Sequence, residues 1–146
     1  MVESIRVAAT PEQLGAVHDA LARFWGAVDR GRWRSLGDTA RLQFATAVGE
    51  IAGNIVRHAH PVGSEVGTIE IRFCAYADRV EARFQDRGLV YKDVPRPTKD
   101  LGAVDAMELP ESGFGLFVAR AALDRLQYRR TRRGTSHWYL VKRVES

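Results

Sequence analysis

Hydrophobic residues recur at helical spacing in two long segments of the first half of the chain. The first segment carries Leu14, Val17, Leu21, Phe24, Trp25 and Val28, and the second carries Phe44, Val48, Ile51, Ile55 and Ala59. Steps of three or four residues place such side chains on one face of a helix. Thr10 and Gln13 form a potential capping box with Pro11 at the first helical position. The second helix is predicted from about residue 38 to residue 60, where Pro61 and Gly63 end it.

Alternating apolar and polar residues predict five strands. The opening strand covers residues 4–9, and "TIEIRFCAYA" and "RVEARFQD" follow the second helix with a turn at Asp78. Ile69, Ile71 and Phe73 share one face of the first of these two strands, because successive side chains point to opposite sides. The chain closes with "QYRRTR" and "TSHWYLVKRV" around Gly134.

A long irregular segment, residues 89–111 with three prolines, separates the middle strands from "SGFGLFVARAALDRL". Loops of this length inside a compact domain are usually functional lids or disordered segments. The segment after it has the pattern of an amphipathic helix. The element order predicts one α/β (α+β) domain over residues 1–146. We expect a two-layer sandwich with a mixed, largely antiparallel sheet and helices on one face.

The composition is that of a globular protein, with 45% apolar and 27% charged residues among 146. No apolar stretch reaches membrane-spanning length and no signal peptide precedes the first strand, so we expect a cytoplasmic protein. Cys74 is the single cysteine, which excludes an internal disulfide, and it is expected to be a small core residue. The net charge is +4. The basic run "YRRTRRG" could bind nucleic acid, nucleotide phosphate or an acidic protein, or could be a solvated hairpin.

Three polar residues form a ridge along the second predicted helix. Glu50, Asn54 and His58 are four apart and therefore lie above one another on one edge. An asparagine oxygen suits magnesium, and a glutamate can accept a proton or orient a hydroxyl. A solvated polar edge is the alternative, because amphipathic helices always have one.

Three weaker signals follow along the chain. Asp86 ends a strand and Gly88 opens the next turn, an arrangement that could bind an adenine amino group or simply form a turn. Gly113 and Gly115 precede a helix, whose open N–H groups could bind phosphate. Thr135 begins the last strand, where it could support a bound base or be an ordinary strand residue.

In this order the motifs resemble those of the GHKL (histidine kinase-like) ATP-binding superfamily. "EIAGN" with "HA" is similar to its N box, "DRG" to its adenine box, "SGFGLF" to its glycine-rich box and "GTSHWYL" to its final threonine turn. Within the superfamily the chain looks most like the small anti-sigma-factor serine protein kinases of bacterial partner-switching systems. The resemblance covers nearly the whole chain and implies the Bergerat ATP-binding fold, with residues 89–111 as the ATP lid.

The resemblance implies a role for each motif residue. Glu50 is the catalytic base or orienting carboxylate, and Asn54 is the ligand of a magnesium ion that bridges the ATP phosphates. The adenine end is bound by Asp86, Gly88 and Thr135, and the phosphates by Gly113, Phe114, Gly115 and Leu116. One departure is Val90, which stands where many members have a further glycine, and it affects the expected shape of the lid hinge.

The implied partners are an anti-anti-sigma (STAS-domain) protein as the phosphorylated substrate, a sigma factor that is held inactive, and a second copy in a homodimer. Direct nucleic-acid binding is the least favoured function. A non-catalytic nucleotide-binding module that sequesters a regulatory protein is the main alternative. A zinc site is not expected, because His58 and His60 are two apart on the predicted helix and face different ways.

Overall fold

The computed structural model describes residues 2–31, 36–61, 66–87, 89–91, 104–105, 114–132 and 134–144. Three helices are present in these ranges: α1 (Leu14–Arg30), α2 (Asp38–His58) and α3 (Phe114–Ala122). The strands are β1 (Val2–Ala8), β2 (Ala59–Pro61), β3 (Thr68–Ala75), β4 (Arg79–Arg87), β5 (Leu89–Tyr91), β6 (Val104–Asp105), β7 (Arg125–Arg130) and β8 (Ser136–Arg143).

Six of the strands form one sheet in the order β1-β3-β4-β8-β7-β6, and β2 and β5 form a separate pair. Every pairing between described strands is antiparallel. The predicted α+β class is therefore confirmed, and the expectation of a mixed sheet gives way to a fully antiparallel one in this part of the chain. Two of these pairings, β3–β4 and β7–β8, are hairpins, and strands joined by a tight turn such as Tyr76–Asp78 run antiparallel.

The helices pack on one face of the sheet, and the core lies between the two layers. Strand alternation directs Phe73, Phe84 and Trp138 to this face, where they meet Phe24 and Phe44 of α1 and α2. All five side chains are buried. Each buries a large apolar area, worth roughly 1.5–3 kcal/mol per fully buried side chain, so the pattern that predicted the strands also determines the interior.

The first helix begins differently from the prediction. Pro11–Gln13 form a single 3-10 turn before α1, and Thr10 makes no side-chain capping hydrogen bond. Instead the backbone N–H of Gln13 donates to the carbonyl oxygen of Thr10 at 3.0 Å. The position of Pro11 in the first turn is as predicted, since proline needs no partner for a missing N–H there.

The second helix ends at His58, two residues earlier than predicted. Ala59–Pro61 leave the helix and pair with Leu89–Tyr91. The helical conformation is disfavoured for a residue that precedes a proline. Pro61 therefore disfavours helix already at His60. The strand pair β2–β5 then satisfies backbone groups that the helix would otherwise have used.

The predicted lid is not irregular throughout. Its first three residues form β5, and Val104–Asp105 form β6 against β7. The other residues of the predicted 89–111 lid lie outside the described part of the chain, so the assignment as an ATP lid stays a prediction.

The opposite side of the sheet, named here the arginine face, carries no described helix. On β1, β3, β4, β7 and β8, strand register places on it the acids Glu70 and Glu81 and the arginines Arg6, Arg72, Arg79, Arg83, Arg87, Arg125, Arg129 and Arg143. Cys74 is buried, as expected. It lies on this side between Val2 and Glu81 rather than in the core, because it alternates with Phe73.

Glu81 is a buried acid on the arginine face, with 1% of its surface exposed. Its Oε2 accepts hydrogen bonds from the Tyr139 hydroxyl at 2.6 Å and from Arg79 Nε at 2.7 Å. Burial raises the pKa of Glu81, but the hydrogen bonds from Tyr139 and Arg79 outweigh it and leave the pKa below its ordinary value of 4.5. The charged form is therefore the form that the fold stabilises.

We expect Glu81→Gln to lower the free energy of unfolding at pH 7 by about 1.5–3 kcal/mol, the usual worth of hydrogen bonds to a charged group. Because the folded-state pKa is depressed, this stabilisation is present above pH 4.5 and is lost as the pH falls through the lower folded-state pKa. Urea unfolding across this range measures it, with Glu70→Gln as the control, since Glu70 makes only an exposed ion pair. A difference that stays constant with pH would contradict the assignment.

Candidate functional site

Several elements carrying the predicted site residues meet at one end of the sandwich. Helix α2 ends at His58 and continues into β2, which pairs with β5. Strand β5 comes two residues after the end of β4, the strand that carries Asp86. The C-terminal end of α2 and the Asp86 end of β4 are therefore held together by the β2–β5 pair.

Asp86 is a buried carboxylate on the helix side of the sheet, with 1% of its surface exposed. Its Oδ1 accepts a hydrogen bond from the backbone N–H of Ser136, the first residue of β8, at 3.2 Å. Burying a carboxylate is unfavourable unless it is hydrogen-bonded. This contact holds the acid at the strand end and ties β4 to the start of β8.

Thr135 stands immediately before this contact, in the β7–β8 turn. Its Oγ1 lies 2.7 Å from Thr131 Oγ1, and the backbone N–H of Thr131 donates to the Thr135 carbonyl at 2.9 Å. Gly134 has a φ of +83°, a conformation that glycine adopts without strain. The turn therefore fixes Thr135 next to the strand that holds Asp86.

Asn54 is one turn from the end of α2 and is buried, with 2% of its surface exposed. The turn around it, Ile51–Ile55, is buried on every side, so the alternative of a solvated edge is wrong for this residue. Glu50, one turn earlier, is half-buried. His58 is also half-buried, and its Nε2 is buried with no hydrogen-bond partner among the described residues.

The phosphate-binding candidates lie at the start of α3. Phe114, Gly115 and Leu116 form its first turn, whose N–H groups have no partner inside the helix. Lys142 Nζ donates to the carbonyl oxygen of Ala122 at 3.0 Å, which anchors the other end of α3 to the far end of β8. The first turn thus points away from that anchor. Gly88 and Gly113 lie outside the described residues.

Sequence reasoning missed the residues that support the site from behind. The Ser136 hydroxyl is fully buried and lies 3.0 Å from the Tyr128 hydroxyl and 3.0 Å from Arg130 Nη1. Arg130, one of the residues in the basic run "YRRTRRG", therefore braces the β7–β8 hairpin. Only the alternation of the last strand, which puts Ser136 on the same side as Trp138, could have indicated this role.

The described donor set fits a magnesium nucleotide, in which phosphates and water supply most ligands of the metal. Asn54 offers one buried amide oxygen, and no cluster of three or more histidine, cysteine or acidic residues exists in the described ranges for an all-protein metal site. The Asn54 side-chain oxygen could supply one ligand of a magnesium ion whose other ligands come from the nucleotide and water. Among the same residues, no helix is long and apolar enough to cross a membrane.

Helix α2 carries a buried amide, β4 carries a buried acid near its end, and α3 begins after the segment predicted to be a lid. This order of parts is the one expected for an ATP-binding α+β sandwich. The family model of the histidine kinase-like ATPase domain matches residues 7–138. The chain belongs to this family, which confirms the resemblance found in its motifs.

The chain is also similar to individual curated proteins of known name. The chain is 34% identical over 85 residues to a serine-protein kinase RsbW of Bacillus cereus, covering 56% of this chain and 51% of the relative. The RsbW of Bacillus thuringiensis subsp. konkukian gives the same values, and that of Bacillus licheniformis is 32% identical over 84 residues, covering 53% and 50%. The chain spans about half the length of the curated relatives it matches.

Gly67, just before β3, is in close contact with β5 of the β2–β5 pair. The buried side chain of Leu89 packs on it, and a Cβ at position 67 would lie 2.1 Å from Leu89 Cδ2 and 3.1 Å from the Arg87 carbonyl oxygen. The Gly67 carbonyl also accepts the N–H of Ala9 at 2.9 Å. This position therefore admits only glycine without displacing β5, which follows the Asp86 strand.

We expect Gly67→Ala to destabilise the protein by about 1–3 kcal/mol, because an added methyl group overpacks a filled space. Gly15→Ala is the matched control, since a Cβ there meets nothing within 4 Å and alanine favours a helix. Equilibrium unfolding in urea measures both variants. Equal stability of the two would show that Leu89 moves freely and does not fix β5.

Proposed function

We propose that the chain is an ATP-dependent serine protein kinase and anti-sigma factor of a bacterial partner-switching system. In this function it phosphorylates an anti-anti-sigma protein and sequesters a sigma factor. The observation that supports the proposal most is the buried pair Asn54 and Asp86, held at the same end of the sandwich in a chain of the histidine kinase-like ATPase family. The name of the curated relatives, serine-protein kinase, supports serine as the acceptor.

The adenine end of the nucleotide binds at Asp86 in this proposal. The Ser136 N–H donates to Oδ1 of the carboxylate and keeps it oriented. A carboxylate can accept several hydrogen bonds at once, so the adenine amino group can donate to it as well. Thr135 and Gly88 flank this position along the chain. Specificity for adenine follows, since guanine presents a carbonyl oxygen where adenine presents its amino group.

The phosphates bind between Asn54 and the start of α3. Asn54 holds the magnesium ion, which neutralises the phosphate charge when bound. The N–H groups of Phe114, Gly115 and Leu116, together with Gly113, bind phosphate oxygens, because the N-terminus of a helix attracts anions. Phosphoryl transfer depends mainly on such positioning and charge neutralisation.

Glu50 acts on the attacking serine. It lies one helical turn from Asn54 and is half-buried, so its carboxylate is on the same edge as the metal ligand and is not fully solvated. There it orients the hydroxyl of the partner serine and accepts its proton as the serine oxygen bonds to the γ-phosphorus. The bond between this phosphorus and the β,γ-bridging oxygen breaks at the same time, and ADP is the leaving group. The acceptor is then an anti-anti-sigma (STAS-domain) protein, and the reaction takes place in the cytoplasm, with the kinase as a homodimer.

We expect magnesium ATP to raise the melting temperature, because a ligand that binds only the folded state stabilises it. Asp86→Asn should reduce this shift at a fixed ATP concentration. Its oxygen can still accept the Ser136 N–H, which preserves the fold, but its amide group presents a donor to the adenine donor. Thermal unfolding with ATP and with GTP measures the effect.

The control for this experiment is Asp19→Asn, since Asp19 is an exposed acid on α1 and the same charge is removed. It should respond to ATP like the wild type. Absence of any ATP-dependent shift in the wild type would overturn nucleotide binding itself.

Glu50 and Asn54 should have separable effects. Glu50→Gln should leave ATP bound but slow transfer to the partner serine by about 10²–10⁴-fold, the usual worth of a positioned acid or base. Asn54→Ala should weaken magnesium ATP binding as well as transfer. Single-turnover transfer of labelled phosphate, together with nucleotide titration, distinguishes them, with the exposed Glu12→Gln as the control.

The outcomes decide between the kinase and the sequestering module. If wild-type protein binds ATP but transfers no phosphate to any serine-bearing partner, the non-catalytic module is correct. If Glu50→Gln transfers at the wild-type rate, Glu50 is an ordinary helix residue and the proposed catalytic role is wrong.

A further inference from the structure

We propose that the arginine face is a docking surface for an acidic protein segment, whose carboxylates pair with Arg72, Arg83 and Arg129. The face is the side of the sheet opposite the helices, whereas Asp86 and Asn54 are on the helix side. The inference therefore concerns a second surface and does not depend on the proposed kinase step.

Positive charges stand directly opposite one another on this face. Arg72 of β3 is the cross-strand partner of Arg83 of β4, and Arg79 of β4 is the partner of Arg143 of β8. Like charges at directly opposed positions destabilise a sheet. The Arg79–Arg143 pair is offset within the chain, because Arg79 makes ion pairs with both Asp78 and Glu81. Among the described residues, the Arg72–Arg83 pair has only the longer contact of Arg83 with Glu81, and a bound acidic group would relieve its repulsion.

The compensation available inside the described chain is limited. Glu81 pairs with Arg79 at 2.7 Å and with Arg83 at 3.6 Å. Asp78 also pairs with Arg79, at 2.8 Å, and Glu70 pairs with Arg6. Arg72 and Arg129 form no ion pair with any residue in the described ranges. Both retain guanidinium groups whose paired N–H donors match the two oxygens of a carboxylate.

Two neighbouring grooves give the face its shape. One, of about 280 Å³, is lined by residues that include Gln127, Arg129 and Tyr139. The other, of about 240 Å³, is lined by residues that include Glu70, Arg72 and Gln85. Both grooves contain Arg83 and His137, so they join at the centre of the sheet. Each is several times the volume of a water molecule, about 30 Å³, and can seat a side chain.

The environment of His137 agrees with a strongly positive centre. Burial and the nearby charge of Arg129 lower the pKa of this histidine. Its ring lies where the two grooves meet, with Arg129 and Gln85 as its cross-strand neighbours. Its resonances therefore report whatever occupies the grooves.

Charge and ring geometry favour an acidic protein over the other occupants. A second copy would place this face against the same arginines, which repel. A single-stranded nucleic acid would need open aromatic rings for base stacking, but the ring of Tyr139 already has Arg83 at 4.2 Å and that of Tyr76 has Arg79 at 4.2 Å. A strand of alternating acids fits better, since it presents carboxylates along one side at the spacing of outward side chains.

The probe for the test is a short labelled peptide in which glutamate alternates with serine, compared with its glutamine–serine counterpart. Fluorescence anisotropy of the wild-type protein should show binding of the acidic peptide that weakens with salt, because salt screens exposed charges. The double variant Arg72→Gln/Arg129→Gln, named here the outer variant, should bind about tenfold more weakly, as expected for the loss of two charge contacts at the surface. The lysine versions at the same positions should lose less.

The matched control is Arg23→Gln/Arg30→Gln, which removes two exposed charges from α1 on the helix side. This control should bind the acidic peptide like the wild type. The melting temperature of the Arg72→Gln/Arg129→Gln variant should stay equal or rise, because the repulsion between Arg72 and Arg83 is removed. His137 ring resonances should shift when the acidic peptide is added.

Three results would overturn the proposal. The first is the absence of binding that is specific to this face: either no peptide binding, or binding that the α1 control weakens as much as the Arg72→Gln/Arg129→Gln variant does. The second is preference of this face for a single-stranded oligonucleotide over the acidic peptide. The third is self-association of the wild type, seen by sedimentation, that the outer variant abolishes.

Discussion

The contact between the buried carboxylate of Asp86 and the N–H of Ser136 is the interaction on which the candidate site depends. A charged group that is almost completely covered needs hydrogen bonds to remain in place, and this one is supplied by the first residue of a neighbouring strand. The same contact brings the β7–β8 turn, with Thr135, to the end of β4. The site is thus a consequence of sheet register more than of any single loop.

Strand β4 shows how one segment supplies two functional surfaces. Alternate residues point to opposite sides of a sheet, so Phe84 and Asp86 face the helices while Arg83 and Arg87 face outward. The residues of β4 that face the helices pack in the core, and Asp86, the last of them, is the proposed adenine contact. The residues that face outward belong to the arginine face, whose proposed partner is an acidic protein. A shift of register by one residue would abolish both surfaces together.

Periodicity in the sequence was sufficient to predict the three helices and five longer strands, because core side chains such as Ile51 and Ile71 recur at the spacing of their element. It failed where tertiary contacts determine the secondary structure. Ala59–Pro61 have the pattern of a helix end, but they form a strand because they pair with β5. The motifs around Asn54, Asp86 and Thr135 can be recognised in the sequence. Periodicity alone does not predict the contacts that hold them at one end of the sandwich. Glu81 had no signal at all, since an acid between Val80 and Ala82 has the same alternation as an exposed residue.

The proposed adenine nucleotide lies between α2, the end of β4 and the start of α3. A crystal structure with magnesium and a non-hydrolysable ATP analogue tests this position most directly. We predict the adenine amino group within hydrogen-bonding distance of Asp86, the metal ion on the Asn54 side-chain oxygen, and the phosphates at the first turn of α3. A nucleotide bound elsewhere, or one whose base does not contact Asp86, would contradict the account.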